Sequence, residues 1–281
     1  VPGLKIDLHT HTTASDGTTP PEALVRQAVD AGLDVLALTD HDTTDGWARA
    51  AAALPDGLSL VRGAEISCSS NGISLHLLAY LFDPESAPLA STMRALRESR
   101  VNRAQQMVRM LVADGVPVTW EQVLELAHGT VGRPHIAQAL VQSGQLASVA
   151  DAFTPEWIGT GGRYWGTKLE IDVLDAIGQV REAGGVAVFA HPGAASRGRT
   201  VQDSVIVAMA AAGLAGLEVD HPDHTPAARD HLRGLAADLG LLTTGSSDFH
   251  GANKTVALGD HLTHANTYED LVSRATGVGV L

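Results

Sequence analysis

The sequence predicts an α/β fold in which seven or eight strands alternate with helices and close toward a barrel, with a mainly helical segment inserted after the fourth strand. Three observations carry this. Short apolar runs alternate with amphipathic helical patterns, polar and ionisable residues collect at one end of those runs, and between residues 85 and 168 the alternation gives way to helical signal alone. The chain of 281 residues is long enough to bury a substantial core, and 29 glycines with only 4% aromatic residues suit helices packed closely on a sheet.

The elements follow in order. Residues 5–8 alternate into His9 and His11. Residues 20–31 place Leu24, Val25, Ala28 and Val29 at helical spacing, opened by Pro20 and Pro21 and stopped by Gly32. Residues 35–39 are apolar on both faces, the mark of a buried parallel strand, and end in Asp40-His41-Asp42. A helix over 47–54, a strand over 60–64 ending at Glu65, and a strand over 74–81 carrying His76 come next. From 85 to 168 helical patterns dominate, with Met93, Leu96, Met107, Met110 and Leu111 marking one long helix, and GTGGRYWG reads as a loop. The alternation returns with a helix over 170–183, a strand over 186–190 into His191-Pro192, a helix over 201–212, a strand over 217–219, a helix over 227–239, and a strand over 241–244 into Gly245-Ser246-Ser247-Asp248. The expected division is a barrel domain of residues 1–84 and 169–281 and an inserted domain of residues 85–168.

Composition narrows the function. A formal charge of -13 argues against sequence-independent binding along a nucleic-acid backbone, which needs a basic stripe, and leaves room for a pocket holding one phosphate. Cys68 is the single cysteine, so neither a disulfide framework nor a thiolate zinc cluster is available, and it reads as a small buried side chain. No run of eighteen apolar residues occurs, and no basic or hydrophobic signal segment precedes the first strand; the expectation is a cytoplasmic protein with no membrane association and no obligate protein partner.

Chemistry concentrates in His9, His11, Asp16, His41, Glu65, His76, His191, Asp248 and His250, all expected at or just beyond strand ends. Two imidazoles at i and i+2 on an extended segment share a face, and so many buried ionisable groups are tolerable together only if cations compensate them. Imidazole and carboxylate without thiolate suit manganese, iron or zinc in a catalytic role. Ions held a few ångströms apart activate water and stabilise charge on a phosphoryl oxygen. The expected cofactors are two or three divalent ions.

The segments HTHTTASDG, LALTDHDTTDG, GAEIS, AHPG and GSSDFHG, in that order, closely resemble the polymerase and histidinol phosphatase (PHP) superfamily over nearly the whole chain, and most of all its small metal-dependent phosphoesterases with a helical insertion. The resemblance implies a distorted (β/α)7-like barrel with a trinuclear site at one mouth. It implies that His9, His11, Glu65 and Asp248 surround one metal, that Glu65 bridges to a second held by His76 and His191, and that Asp16, His41 and His250 hold a third. Ser246 stands where related sequences often carry a second glycine.

Around this set, Asp40 is a candidate orienter or proton acceptor, and His221, after the strand ending at Val219, a candidate contact to phosphate or leaving group. Arg133 and Arg197 offer forked donors to phosphate oxygens, and the resemblance brings in His135 beside Arg133 through a basic loop of the inserted lobe. Lys168 reads as a solvent residue. Trp157, Tyr164 and Trp165 read as local core that could also stack on a base, and Gly159–Gly162 as a turn, because the lysine and hydroxyl of a phosphate-cradling loop are missing. The expected activity is hydrolysis of a phosphomonoester of a small nucleotide, foremost the 3′-phosphate of a nucleoside 3′,5′-bisphosphate. The alternatives are 5′-to-3′ exonuclease action on short single-stranded RNA or DNA, histidinol phosphatase activity, and a non-enzymatic metal-binding accessory role.

Overall fold

The computed structural model describes residues 3–127 and 129–281. β1 (Ile6–Asp7) leads through a ligand-rich loop into α1 (Pro21–Asp30), where two prolines pre-set the first turn, Leu24, Val25 and Ala28 face the sheet, and Gly32 at φ +72° turns the chain out of the helix. β2 (Val35–Leu38) is buried on both faces and is followed by α2 (Trp47–Ala52). β3 (Ser59–Ser70) and β4 (Ile73–Tyr80) form an antiparallel hairpin. Asn71 and Gly72, at φ 51° and 70°, make its two-residue turn, and successive positive φ angles are what matches such a turn to strand twist.

This hairpin corrects the expectation that every candidate ligand lies at or beyond a strand end. β3 does not stop at Glu65 but runs five residues past it, and His76 lies within β4, directly across from Ser67. The Asn-Gly signal for the turn is present in the sequence.

The inserted lobe contains α3 (Ala87–Ala113), α4 (Trp120–Leu126) and α5 (Arg133–Gln142). Thr119 caps α4 in a reciprocal capping box with Gln122. The chain returns through β5 (Ile171–Asp172), which pairs with the far end of β3, so the helix expected from residue 170 begins only at α6 (Val173–Glu182), with the Asp172 carboxylate accepting from Leu174 N–H at its start. β6 (Val186–Phe189), α7 (Asp203–Ala212), β7 (Gly216–Asp220), α8 (Pro226–Leu239) and β8 (Leu242–Gly245) complete the alternation, and α9 (Ala265–Arg274) closes the chain.

The sheet runs β1-β2-β3-β4-β6-β7-β8 and is parallel except where β4 meets β3 and β6. Its two edges nearly close. In place of a ladder between β1 and β8, Thr10 bridges Phe249, His11 N–H donates to the Phe249 carbonyl at 2.8 Å, and the buried Asp7 carboxylate accepts from Ser247 N–H at 3.0 Å and Gly259 N–H at 2.9 Å. Strand alternation sorts the core: Val35, Ala37, Val186 and Val188 point inward with Ile6, Leu8 and Tyr80, while Leu36, Leu38, Ala187 and Phe189 pack outward on the helices. A separate apolar cluster, including Met107, Leu111, Ile136 and Leu140, fills the lobe, while Leu89, Met93 and Leu96 at the start of α3 belong to the barrel's outer core. Among the described residues no helix is long and apolar enough to cross a membrane.

Candidate metal centre

Every barrel strand delivers a polar side chain to one mouth. His9 and His11 follow β1, His41 follows β2, Glu65 lies in β3, His76 in β4, His191 follows β6, Glu218 lies in β7, and Asp248 and His250 follow β8. Three non-glycine residues here, His191, Asp248 and Asp42, hold positive φ angles of 34°, 52° and 54°. Such backbone is costly and persists where the surroundings fix it, as they do around a functional site.

Glu65 is the hub. Its Oε1 lies 2.8 Å from His76 Nδ1 and 2.9 Å from His191 Nε2, and its Oε2 lies 3.1 Å from His11 Nε2, 3.1 Å from His41 Nδ1 and 3.3 Å from His9 Nε2. Asp248 Oδ1 is 3.4 Å from both His9 Nε2 and His11 Nε2, and Asp16 sits 3.4 Å from His250 Nε2 and 3.7 Å from His41 Nε2. Ligand atoms gather in three groups: His9, His11 and Asp248; His41, Glu65 and His76; and His11, Asp16, His41 and His250.

The donor set fits divalent cations. Asp16 Oδ1 and His41 Nδ1 are buried and, although close to His250 and Glu65, make no well-aligned hydrogen bond, a cost that coordination would relieve. The carboxylates are ionised: burial works against it, but the surrounding imidazoles hold Glu65 well below the usual range, and Lys254, His9 and Arg197 do the same for Asp248. Burial lowers His191 to about 3 and His250 to about 4, so these rings are neutral and able to ligate. His11 goes the other way; burial opposes it, yet Asp248 and Glu65 raise it to about 9, so the carboxylates there call for positive charge.

Glu218 is a site residue that the sequence reading passes over. Fully buried in β7, it lies 2.9 Å from His9 Nδ1, accepts from His191 N–H at 2.7 Å and from the Ser246 hydroxyl, and so fixes the orientation of one ring and the backbone of another. Its signal is a lone carboxylate between Leu217 and Val219 in an otherwise apolar run.

The remaining sequence candidates are placed as follows. Asp40 is buried and accepts from Thr12 N–H at 2.8 Å, Thr12 Oγ1 at 2.6 Å and Ser15 Oγ at 2.5 Å, bracing the loop that carries Asp16. His221 accepts from Asp223 N–H at Nδ1, which puts its proton on Nε2, 3.2 Å from Asp248 Oδ2. Arg197 donates to Asp223 at 2.5 Å and to Asp248 at 2.6 Å, and Lys254, not singled out from sequence, meets Asp248 Oδ2 at 2.6 Å. Arg133 opens α5 directly after Gly132, which lies against Asp16, and donates to the Ile158 carbonyl at 3.2 Å. His135 turns back to accept from Gly132 N–H at 3.0 Å. Lys168 is not a solvent residue: its side chain is 9% exposed, 2.9 Å from Glu170. Trp157 and Tyr164 pack in the lobe core, and Cys68 is buried.

Comparison with known proteins places this geometry. A PHP domain model matches residues 7–132. A 3′,5′-nucleoside bisphosphate phosphatase of Chromobacterium violaceum is 36% identical over 87% of each chain. A 5′-3′ exoribonuclease of Haemophilus influenzae is 34% identical over 92% of this chain and 94% of its own. A crystal structure from Bifidobacterium adolescentis, assigned as a metal-dependent phosphoesterase, superposes with a TM-score of 0.92 at 38% identity over 98% of both chains.

Proposed function

The chain belongs to the PHP superfamily, in its metal-dependent phosphoesterase branch with an inserted helical domain, and from that premise we propose that it hydrolyses the 3′-phosphate of a nucleoside 3′,5′-bisphosphate. The observation that carries the reading is the convergence of three ligand groups around Glu65 at a barrel mouth flanked by arginines. His9, His11, Glu65 and Asp248 would hold one ion, Glu65, His76 and His191 a second, and Asp16, His41 and His250 a third; manganese, iron and zinc all suit these donors. When bound, the ions supply an activated water and stabilise charge on the phosphoryl oxygens.

The protein's own groups do the rest. Arg197, beside Asp248, and Arg133, beside the Gly132 turn, bind the non-bridging oxygens of the scissile phosphate. His221 aims its Nε2–H at the centre, where it donates a hydrogen bond to the departing oxygen while a solvent water supplies the proton that oxygen takes up. Asp40 acts through the Thr12–Ser15 loop, fixing Asp16, and Glu218 fixes His9 and His191. His135 steadies the Gly132 turn from which Arg133 projects.

A second reading rests on the exoribonuclease relative, which matches along almost the whole chain. One experiment separates the two. Manganese-loaded protein is offered adenosine 3′,5′-bisphosphate, simple monophosphates and a 5′-phosphorylated short RNA in parallel. Inorganic phosphate from the bisphosphate is the expected product, whereas mononucleotides from RNA would establish the second reading. His9→Ala should lose metal together with most activity, and Arg133→Ala should raise KM roughly 10- to 100-fold with metal retained. Phosphate release that persists in verified metal-free protein would overturn the mechanism.

A further inference from the structure

A chain of hydrogen bonds runs from the inserted lobe to the backbone of one candidate ligand. Asp16 presents its carboxylate to His250, His41 and His11 at 3.4 Å, 3.7 Å and 3.8 Å, yet it lies in the loop between β1 and α1, outside any helix or strand. Asp40 braces the start of that loop, and the turn after β8 holds its end. Thr18 N–H donates to the His250 carbonyl at 3.2 Å, Ala252 N–H to Thr18 Oγ1 at 2.8 Å, and Asn253 Nδ2 to the Asp16 carbonyl at 2.9 Å. The two segments approach this closely because position 251 is glycine, at φ 65° and directly against Thr18 Oγ1.

Asn253 uses both ends of its amide. While Nδ2 holds Asp16, Oδ1 accepts from Gln138 Nε2 of α5 at 2.8 Å, so one side chain links the lobe to the Asp16 backbone. The orientation is fixed, because a reversed amide would set Oδ1 against the Asp16 carbonyl. The lobe meets the same loop at two further points. Thr130 N–H donates to the Ala14 carbonyl at 3.0 Å, where Gly129 packs too closely for any Cβ, and a Cβ on Gly132 would stand 3.5 Å from that of Asp16. Asp16 is thus held between barrel and lobe, and its distances to His250 and His41 depend on how the lobe is seated.

We infer that Gln138 and Asn253 are positioning residues for the ion assigned to Asp16, His41 and His250, and that through them the inserted lobe sets how tightly that ion binds. The use made of the ion rests on the phosphoesterase reading above, whereas the coupling itself requires metal binding alone. Coupling between two sites is reciprocal: whatever factor the docking of α5 adds to the affinity for the ion, the ion adds to the docking of α5. The groups built on His9, His11 and Asp248 and on His41, Glu65 and His76 contain neither Asp16 nor His250, so the relay acts on one ion and leaves the others as they are.

The test titrates chelator-stripped wild type, Gln138→Ala and Asn253→Ala with manganese by calorimetry, and uses His250→Ala to mark the step of the Asp16 group by deleting it. That step should weaken roughly 3- to 10-fold in Gln138→Ala, the value of one hydrogen bond, and at least as much in Asn253→Ala, which loses two, while the other steps keep their affinities. Hydrogen exchange of the Arg133–Gln142 amides is followed with and without manganese; the ion should protect them in wild type and protect them less in Asn253→Ala. With adenosine 3′,5′-bisphosphate, both variants should lose kcat at limiting manganese with KM unchanged and regain it at saturating manganese, a repair that a merely structural lesion would not show.

Equal affinity for the marked step in wild type and variants, or equal weakening of every step, overturns the inference. So does a titration in which His250→Ala deletes no step, or α5 exchange that ignores manganese in wild type. A wild type that shows the expected binding pattern yet hydrolyses no phosphate ester refutes the phosphoesterase reading and leaves the relay standing.

Discussion

At the scale of single residues, Lys168 shows how burial changes a group that sequence alone would leave in water. Its ammonium is buried between α3 and the end of β3, and burial, with Arg100 beside it, lowers its pKa from 10.5 to about 8 despite Glu170. Between pH 8 and 10 the unfolded chain therefore binds a proton that the folded chain has lost, so this lysine makes stability rise with pH over that window. Below pH 8 both states are protonated and the folded state bears the full desolvation cost, at most about 3 kcal/mol. Urea denaturation of wild type and Lys168→Met in phosphate-free buffer at pH 7 and pH 10 should show the difference moving in favour of wild type at the higher pH. Loss of the Glu170 ion pair offsets the variant at pH 7, so the pH trend of the difference is the readout, and a flat difference would contradict the assignment.

At the scale of elements, the barrel and the lobe are joined by a buried clamp. Asp42, held at positive φ directly after His41, accepts from Ser67 N–H at 2.7 Å, Ser67 Oγ at 2.8 Å and Arg100 Nε at 2.6 Å, so α3 is tied through one carboxylate to the loop carrying a candidate ligand. Arg100→Met strands that carboxylate and should cost about 3 kcal/mol, the usual penalty for half of a buried ion pair. The double variant Arg100→Met/Asp42→Asn should be more stable than Arg100→Met alone, and additive losses in denaturant titrations would remove the clamp from the account. The strand and helix alternation was legible because β2 and β6 are continuous apolar runs, and the nine candidate ligands were legible because most follow such runs. What escaped has physical causes. Glu65 and His76 were named as ligands, but their mid-strand placement was missed, because a ligand inside a long antiparallel hairpin carries no end signal. Glu218 resembles any polar residue of an alternating strand until burial reveals that both carboxylate oxygens are in use. Lys168 becomes informative only when Gly166 lets its segment lie against Arg103 and Met107 of α3.

At the scale of the whole molecule, the centre is also the keystone of barrel closure. Its candidate ligands come from β1, β2, β3, β4, β6 and β8 or the loops that follow them, and among the described residues the seam between β1 and β8 is held by one bridge with a few backbone and side-chain bonds in place of a ladder. Cations bound there would tie together strands that the ladder leaves unjoined and neutralise the buried carboxylates of Asp16, Glu65 and Asp248 in a chain whose formal charge is already -13. An ion that binds only the folded state at 1,000 times its Kd stabilises it by about 4 kcal/mol. For a chain of this size that lifts the midpoint by roughly 10 °C. Manganese should therefore raise the melting midpoint of chelator-stripped protein by an amount of this order, and His9→Ala should blunt the rise. The effect has a pH dependence of fixed sign. Burial opposes protonation of His11, but Asp248 and Glu65 raise its pKa to about 9, so an incoming ion must displace that proton. The manganese-induced shift should consequently shrink as the pH falls from 8 to 6, when measured against a chelator control at each pH. A midpoint that ignores manganese at every pH would separate the fold from its centre and leave the buried carboxylates to be balanced by protonated histidines, Arg197 and Lys254 alone.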